Sequence, residues 1–222
     1  YIVTGLVVLT VGAELLIRGA TALARSFGLS ELLIGLTLVG FGTSTPEIVS
    51  SVQAALVGSP GVAVGNVVGS NIANILLIIG LSAAIAPIAV EARAFRRDAP
   101  ALMLATLLMI GVSMTGGIGR IAGFAFLAAL AGYIALAYLT ERASPDEPEK
   151  QRHEEEAAEL PTGPKSLGMD IVLVVAGLFM LMAGARLLVG GAISVASALG
   201  VSETIIGLTI VAIGTSDRKS VV

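Results

Sequence analysis

The chain has 222 residues, no cysteine, a formal net charge of -3, and 55% hydrophobic against 13% charged residues. That balance excludes a soluble globular domain, which carries about 25% charged residues, and the absent cysteines exclude disulfides, thiol catalysis and thiolate metal sites. No basic patch supports a nucleic-acid partner, so the lipid bilayer is the expected surrounding and partner.

In chain order, the apolar runs predict helices over 1–24, 30–57, 62–87, 98–116, 119–140 and 167–198, with a seventh starting near 202. Each run is long enough to cross a roughly 30 Å hydrocarbon core. The first run has no basic leader and no Ala-x-Ala cleavage site, and reads as a membrane helix rather than a signal peptide. Tyr1 is not an initiator, so the expectation is that the sequence starts inside a longer chain. Turns are marked by Gly28, by Gly58-Ser59-Pro60-Gly61, by the arginine-rich stretch 93–97 and by Gly116-Gly117.

The charges gather in one tract. Residues 141–165 hold 8 of the 16 acidic and 4 of the 13 basic residues, which predicts an aqueous linker over 141–166 with one short surface helix near 149–160. It divides the chain into a first repeat of five membrane helices (1–140), the linker, and the start of a second repeat (167–222). Basic residues fall in the loops after helices 1, 3 and 5: Arg25, then Arg93, Arg96 and Arg97, then Arg142, Lys150, Arg152 and Lys165. The opposite loops hold only Arg120. The positive-inside rule then places the linker in the cytoplasm and the N-terminus outside, in a multi-pass membrane protein.

Residues 12–44 align without a gap on 184–216, a shift of 172, with 18 of 33 positions identical. The shared positions include Ser-Glu, Ile-Gly-Leu-Thr and Gly-Thr-Ser in register, which a common bias toward small apolar residues does not reproduce. Five helices lie between the copies, so the second enters the bilayer from the opposite face. Inverted repeats of this kind are the usual plan of secondary transporters, with substrate near the midplane where the repeats meet.

The polar residues sit in the same segments. Helix 2 crowds Gly40, Gly42, Thr43, Ser44, Pro46 and Glu47 into eight residues. Glycines loosen the backbone and Pro46 lacks an amide hydrogen, so a break in the helix is expected here. Freed carbonyls, the two hydroxyls and the Glu47 carboxylate are all oxygen donors, and Thr43 and Glu47, four apart, share a face. An intramembrane carboxylate costs about 2.5–3.5 kcal/mol on insertion scales and usually marks an ion or proton path. The competing interpretation is a packing hinge with a protonated or snorkelling glutamate.

In helix 3, Asn66, Ser70 and Asn74 recur at four-residue spacing, and Gly61, Gly65 and Gly69 form a second stripe that lets another helix approach closely. Asn71 lies off the polar stripe, where it would cap or brace a bend. Alone this is a polar packing seam; beside a carboxylate-bearing broken helix it is the other wall of a cation site. The second repeat supplies Ala212, Gly214, Thr215 and Ser216 opposite Gly40, Gly42, Thr43 and Ser44. These hard oxygens suit Ca²⁺ or Na⁺ and serve copper or zinc poorly.

The stretches GFGTSTPEIVSS, GNVVGSNIANILLIIG and GLTIVAIGTS resemble the calcium/cation antiporter superfamily, specifically the bacterial and archaeal sodium/calcium exchanger proteins. The resemblance implies an all-α, polytopic, inverted-repeat antiporter fold of ten helices, of which about 6.5 fall within these residues. It implies ion ligands at Thr43, Ser44, Glu47, Ser70, Asn74, Thr215 and Ser216, and backbone-carbonyl ligands at Gly40 and Ala212. Gly42, Pro46, Gly65, Asn66, Gly69 and Asn71 are left as kink or helix-contact positions. The acidic ligand of helix 7 would fall on residue 219, which is Lys219, a group with three donors and no acceptor. The expectation is a chain ending within its second repeat, the last residues DRKSVV departing from the pattern.

The function these residues support is exchange of Ca²⁺ for Na⁺ by alternating access, both ions being transported cargo and no cofactor being needed. A Ca²⁺/H⁺ antiporter of the same fold and a non-transporting fragment are the alternatives. No GxxxxGK[ST] loop, HExxH or serine–histidine pairing points to an enzyme, and a channel would call for a symmetric pore rather than internal inverted repeats. Oligomeric state leaves no trace in the residues. Glu14 and Arg18 are an i,i+4 pair on helix 1, and His153, the one histidine, lies in the linker.

Overall fold

The computed structural model of the chain describes residues 1–88, 92–142, 155, 158 and 166–216. The described residues form helices and turns, with no strand among them. Seven helices follow one another: α1 (Ile2–Ser26), α2 (31–56), α3 (Pro60–Ile85), α4 (Ala92–Ser113), α5 (Arg120–Arg142), α6 (Leu167–Leu199) and α7 (203–216). Of these, α1, α3, α6 and the Arg120–Thr140 part of α5 are long and apolar enough to cross a membrane. The segment α2 is as long but is diluted by the hydroxyls and carboxylate of its motif, and α4 opens on a charged turn.

That opening turn corrects an expectation. Stretch 93–97 lies inside α4, which starts at Ala92 rather than near residue 98. Alanine and arginine are strong helix formers, and Arg97 closes on Asp98 at 2.6 Å. Tyr133 of α5 donates to the same carboxylate oxygen, Oη to Asp98 Oδ1 at 2.8 Å, so the charged turn is pinned by the neighbouring helix rather than left as a loop. Most of the linker 141–166, including His153, lies outside the described residues.

The repeat is visible as repeated local structure. Gly28 and Gly200, equivalent positions, both take positive φ (75° and 65°) where the chain turns after α1 and α6, a conformation in which glycine has no Cβ to clash. Two residues on, Ser30 and Ser202 accept from the amides of Leu33 and Ile205 and cap the next helix. Then α2 and α7 each widen into one π turn, Gly35–Val39 and Gly207–Val211, before resuming as α-helix at Gly40 and Ala212. A third π turn, Ala73–Ile79, interrupts α3.

The helix break therefore differs in form from the expected one. It is a π turn just ahead of the glycine–threonine–serine phrase, and Pro46 is accommodated inside the α-helix Gly40–Leu56. The carbonyl that Pro46 cannot bond and would crowd belongs to Gly42, four residues earlier. Single π turns are frequent at functional sites, and three of them here bracket the polar motifs.

Helices α1 and α6 pack antiparallel through glycines seven apart. A Cβ on Gly5 would lie 2.6 Å from Leu188 N; on Gly12, 2.9 Å from Leu181 N; on Gly19, 2.7 Å from Asp170 O. The other helix answers with equivalent glycines: a Cβ on Gly177 would lie 2.6 Å from Leu16 N, one on Gly184 2.7 Å from Leu9 N, and one on Gly191 would run into Ile2. Each copy thus presents the same small-residue face to the other, as an inverted pair must. Leu9, Ala13, Leu181, Ala185, Leu188 and Val189 fill the space between, joined by Ala54 of α2, Val62 of α3 and Val211 of α7. Large apolar side chains on the outside, such as Leu102, Leu107, Phe124 and Phe179, are exposed, as lipid-facing positions are.

Candidate functional site

The candidate residues lie where α2, α3 and α7 converge. The glycine stripe of α3 sets the distance: a Cβ on Gly65 would lie 2.6 Å from Thr204 O and 2.8 Å from Leu208 N, and one on Gly69 would run into Leu208 O and the Ala212 side chain. Gly61 meets Thr204 in the same way. Only hydrogen at these positions lets α7 lie directly on α3, which carries Ala212 and Thr215 to the polar stripe Asn66–Ser70.

Asn66 is at the centre and fully buried. Its Nδ2 donates to the Glu47 carbonyl at 3.1 Å and to Ser51 Oγ at 2.9 Å, both on α2. Its Oδ1 accepts from Thr215 Oγ1 on α7 at 3.2 Å. One side chain therefore ties three helices and links the two repeats across 149 residues of sequence. Sequence reasoning put Asn66 on the polar stripe of α3 and left it as a kink or helix-contact position rather than a ligand. Its place one residue after Gly65 of the glycine stripe was the available signal for a contact reaching α7.

Around this junction the oxygens of the sequence-derived set are arranged as follows. Glu47 is buried, 7% exposed, on the same side of α2 as half-buried Thr43. Ser70 is buried and donates to Val67 O at 3.1 Å within its own helix. Asn74 lies one turn further, in the π turn, with Oδ1 buried and without a donor. Thr43 and Thr215 occupy equivalent places and donate to the carbonyls three residues back, Gly40 and Ala212, each at 3.2 Å. Ser44 is half-buried. The side chain of Ser216 and residues 217–222, Lys219 among them, lie outside the described residues.

The packing positions are as distinct. Gly42 faces Ile17 of α1, whose side chain would lie 2.5 Å from a Cβ there. Pro46 is buried. Asn71 is exposed and donates to Val67 O at 2.8 Å, one turn back, just before the π turn of α3. Away from the site, Glu14 and Arg18 form the expected pair at 2.8 Å on α1, and Arg25 makes a two-pronged bond to Glu31 at 2.9 and 3.1 Å.

Among the described residues no three His, Cys, Asp or Glu side chains gather. What converges is one carboxylate with hydroxyl, amide and carbonyl oxygens, a set that suits a hard cation which must be released again.

Comparison with known proteins follows the same lines. A putative antiporter, CaxA, from Alkalimonas amylolytica is 42% identical over 217 residues, covering 97% of this chain and 67% of its own length. The sodium/calcium exchanger MaX1 from Methanosarcina acetivorans is 42% identical over 104 residues, 47% of this chain and 30% of its own. A solved sodium-calcium exchanger, NCX_Mj, soaked with Na⁺ and Sr²⁺, superposes with a TM-score of 0.52 at 33% identity, over 97% of this chain and 67% of that one. The chain thus spans about two thirds of the length of the antiporter and the solved exchanger it matches throughout. The family profile described as sodium/calcium exchanger protein matches residues 1–139 and 169–217, which takes in both glycine–threonine–serine phrases and the Asn66 helix between them: the chain belongs to that family of membrane antiporters.

Proposed function

We propose that this protein exchanges Ca²⁺ for Na⁺, with both ions using oxygens of Thr43, Ser44, Glu47, Ser70 and Asn74 in the first repeat and of Thr215 and Ser216 in the second, together with the carbonyls of Gly40 and Ala212. The observation that carries this reading is the junction at Asn66, which draws α2 with its buried Glu47, α3 with Ser70, and α7 with Thr215 to one place. The ions come from the relatives: MaX1 is named a sodium/calcium exchanger, and NCX_Mj was solved with Na⁺ and Sr²⁺.

Antiport follows from sharing. If one set of oxygens serves either cation, and the site changes sides only when a cation occupies it, carrying one ion across requires returning the other, and opposite fluxes are coupled without ATP. Alternation would come from the inverted repeats exchanging roles about the pseudo-two-fold axis that relates α1 to α6. The linker 141–166 is placed in the cytoplasm and the N-terminus outside by the distribution of arginine and lysine; labelling of a cysteine at Ser144 in sealed, intact cells would reverse that orientation.

The test is equilibrium binding of ⁴⁵Ca²⁺ to the purified full-length protein while Na⁺ is raised against constant ionic strength with choline. Shared ligands require Na⁺ to displace Ca²⁺ competitively, with an apparent Ca²⁺ affinity that keeps falling as Na⁺ rises. Displacement by protons alone would make the protein a Ca²⁺/H⁺ antiporter instead.

A further inference from the structure

The contacts of Asn66 dictate where one hydroxyl proton goes. The Glu47 carbonyl can only accept, so the Asn66 group 3.1 Å from it is the NH₂ end of the amide, and the amide oxygen faces α7. That oxygen can only accept, so the hydroxyl of Thr215, 3.2 Å away, must be the donor. Thr215 has one proton and two acceptors in reach, Asn66 Oδ1 and Ala212 O, both at 3.2 Å. When the proton goes to Asn66, the Ala212 carbonyl is relieved of it, and the lone pairs of Thr215 turn toward the same side. The equivalent threonine of the first repeat, Thr43, donates to Gly40 O at 3.2 Å.

We infer that Asn66 is a positioning residue that takes the Thr215 proton and so presents Thr215 Oγ1 and Ala212 O to the cation as a pair of acceptors. This rests on the proposed ion site and adds to it a residue of the first repeat that clears two oxygens of the second, Thr215 Oγ1 and Ala212 O, of the hydroxyl proton. Asn66 touches no ion in this arrangement and acts through Thr215. Its fixed orientation comes from α2, through Glu47 O and Ser51 Oγ, so ligation in the second repeat depends on how the first is placed.

The test is a double-mutant cycle on ⁴⁵Ca²⁺ affinity in the full-length protein, pairing Asn66→Leu, which keeps the branched outline and removes both polar atoms, with Thr215→Val. Each single variant is expected to weaken Ca²⁺ binding about tenfold, and the double variant to be no weaker than either single one. Combined with Thr43→Val, Asn66→Leu is expected to be additive. Thr215→Ser, which keeps the hydroxyl, restores affinity. Additive losses for Asn66→Leu with Thr215→Val, or unchanged affinity in a folded Asn66→Leu protein, would overturn the inference while leaving Na⁺-displaceable binding in the unmutated protein, and hence the proposed function, standing. Should Asn66→Leu fail to insert, Asn66→Ser supplies the cycle. Its shorter side chain fits the space but does not reach both helices, and the same non-additivity with Thr215→Val is required.

Discussion

Thr43 and Thr215 are the same residue in two copies of one phrase, and each donates to the carbonyl three residues back. Thr215 is buried and also lies against Asn66 of the first repeat. At this scale the decisive group is Glu47, the one carboxylate among the assigned ligands. A carboxylate buried to this degree is retained against a desolvation cost of several kcal/mol only where it is paired or used. Glu47→Gln keeps the shape and the carbonyl that Asn66 holds while removing the charge. It is expected to lower ⁴⁵Ca²⁺ affinity by at least a hundredfold with membrane insertion unchanged. Near-normal affinity would take Glu47 out of the ligand set. Asn74 gives the complementary case, because a buried acceptor without a donor is costly in the protein alone and is satisfied if a cation binds there.

Between elements, contact is governed by glycine. Periodicity made the helices legible, and the spacing of Gly61, Gly65 and Gly69 announced a close approach whose partner, α7, emerged only in three dimensions. The seven-residue glycine faces of α1 and α6 were readable in the same way, because Gly5 and Gly177 obey the shift of 172 just outside the aligned stretch. The π turns were not readable. Their sequences, GLTLV and GLTIV, are ordinary apolar runs, and the glycines and Pro46 nearby drew the expected break a few residues too far along. Likewise, arginines at 93–97 suggested a loop because a charge run gives no hint that Asp98 and Tyr133 will anchor it. The packing account predicts a contrast between two glycines. Gly65→Ala forces a Cβ against the Thr204 and Leu208 backbone and is expected to cost about 1–3 kcal/mol, seen as a lower melting temperature in detergent and weaker Ca²⁺ binding. Gly40→Ala meets nothing within 4 Å, and its counterpart is already Ala212, so both stability and binding are expected to stay within error. Equal losses in the two variants would contradict the close approach of α3 to α7.

Over the whole molecule, the inverted repeat organises everything else. It fixes the antiparallel pairing of α1 with α6, repeats the turn glycine, the serine cap and the π turn, and sets one half-site against another across Asn66. Sequence identity at 18 of 33 positions revealed the repeat, but it could not reveal that Thr215 would donate to Asn66, since that contact depends on a side chain from a third helix. The central claim is that this arrangement couples the movement of two cations. It is tested most directly by ⁴⁵Ca²⁺ uptake into sealed vesicles holding the full-length protein, loaded with Na⁺ and diluted into Na⁺-free medium. The account predicts rapid uptake that needs the outward Na⁺ gradient, vanishes when Na⁺ is equal on both sides, and is not replaced by a pH gradient. Uptake at the same rate without any counter-ion gradient, or driven by protons and indifferent to Na⁺, would contradict it.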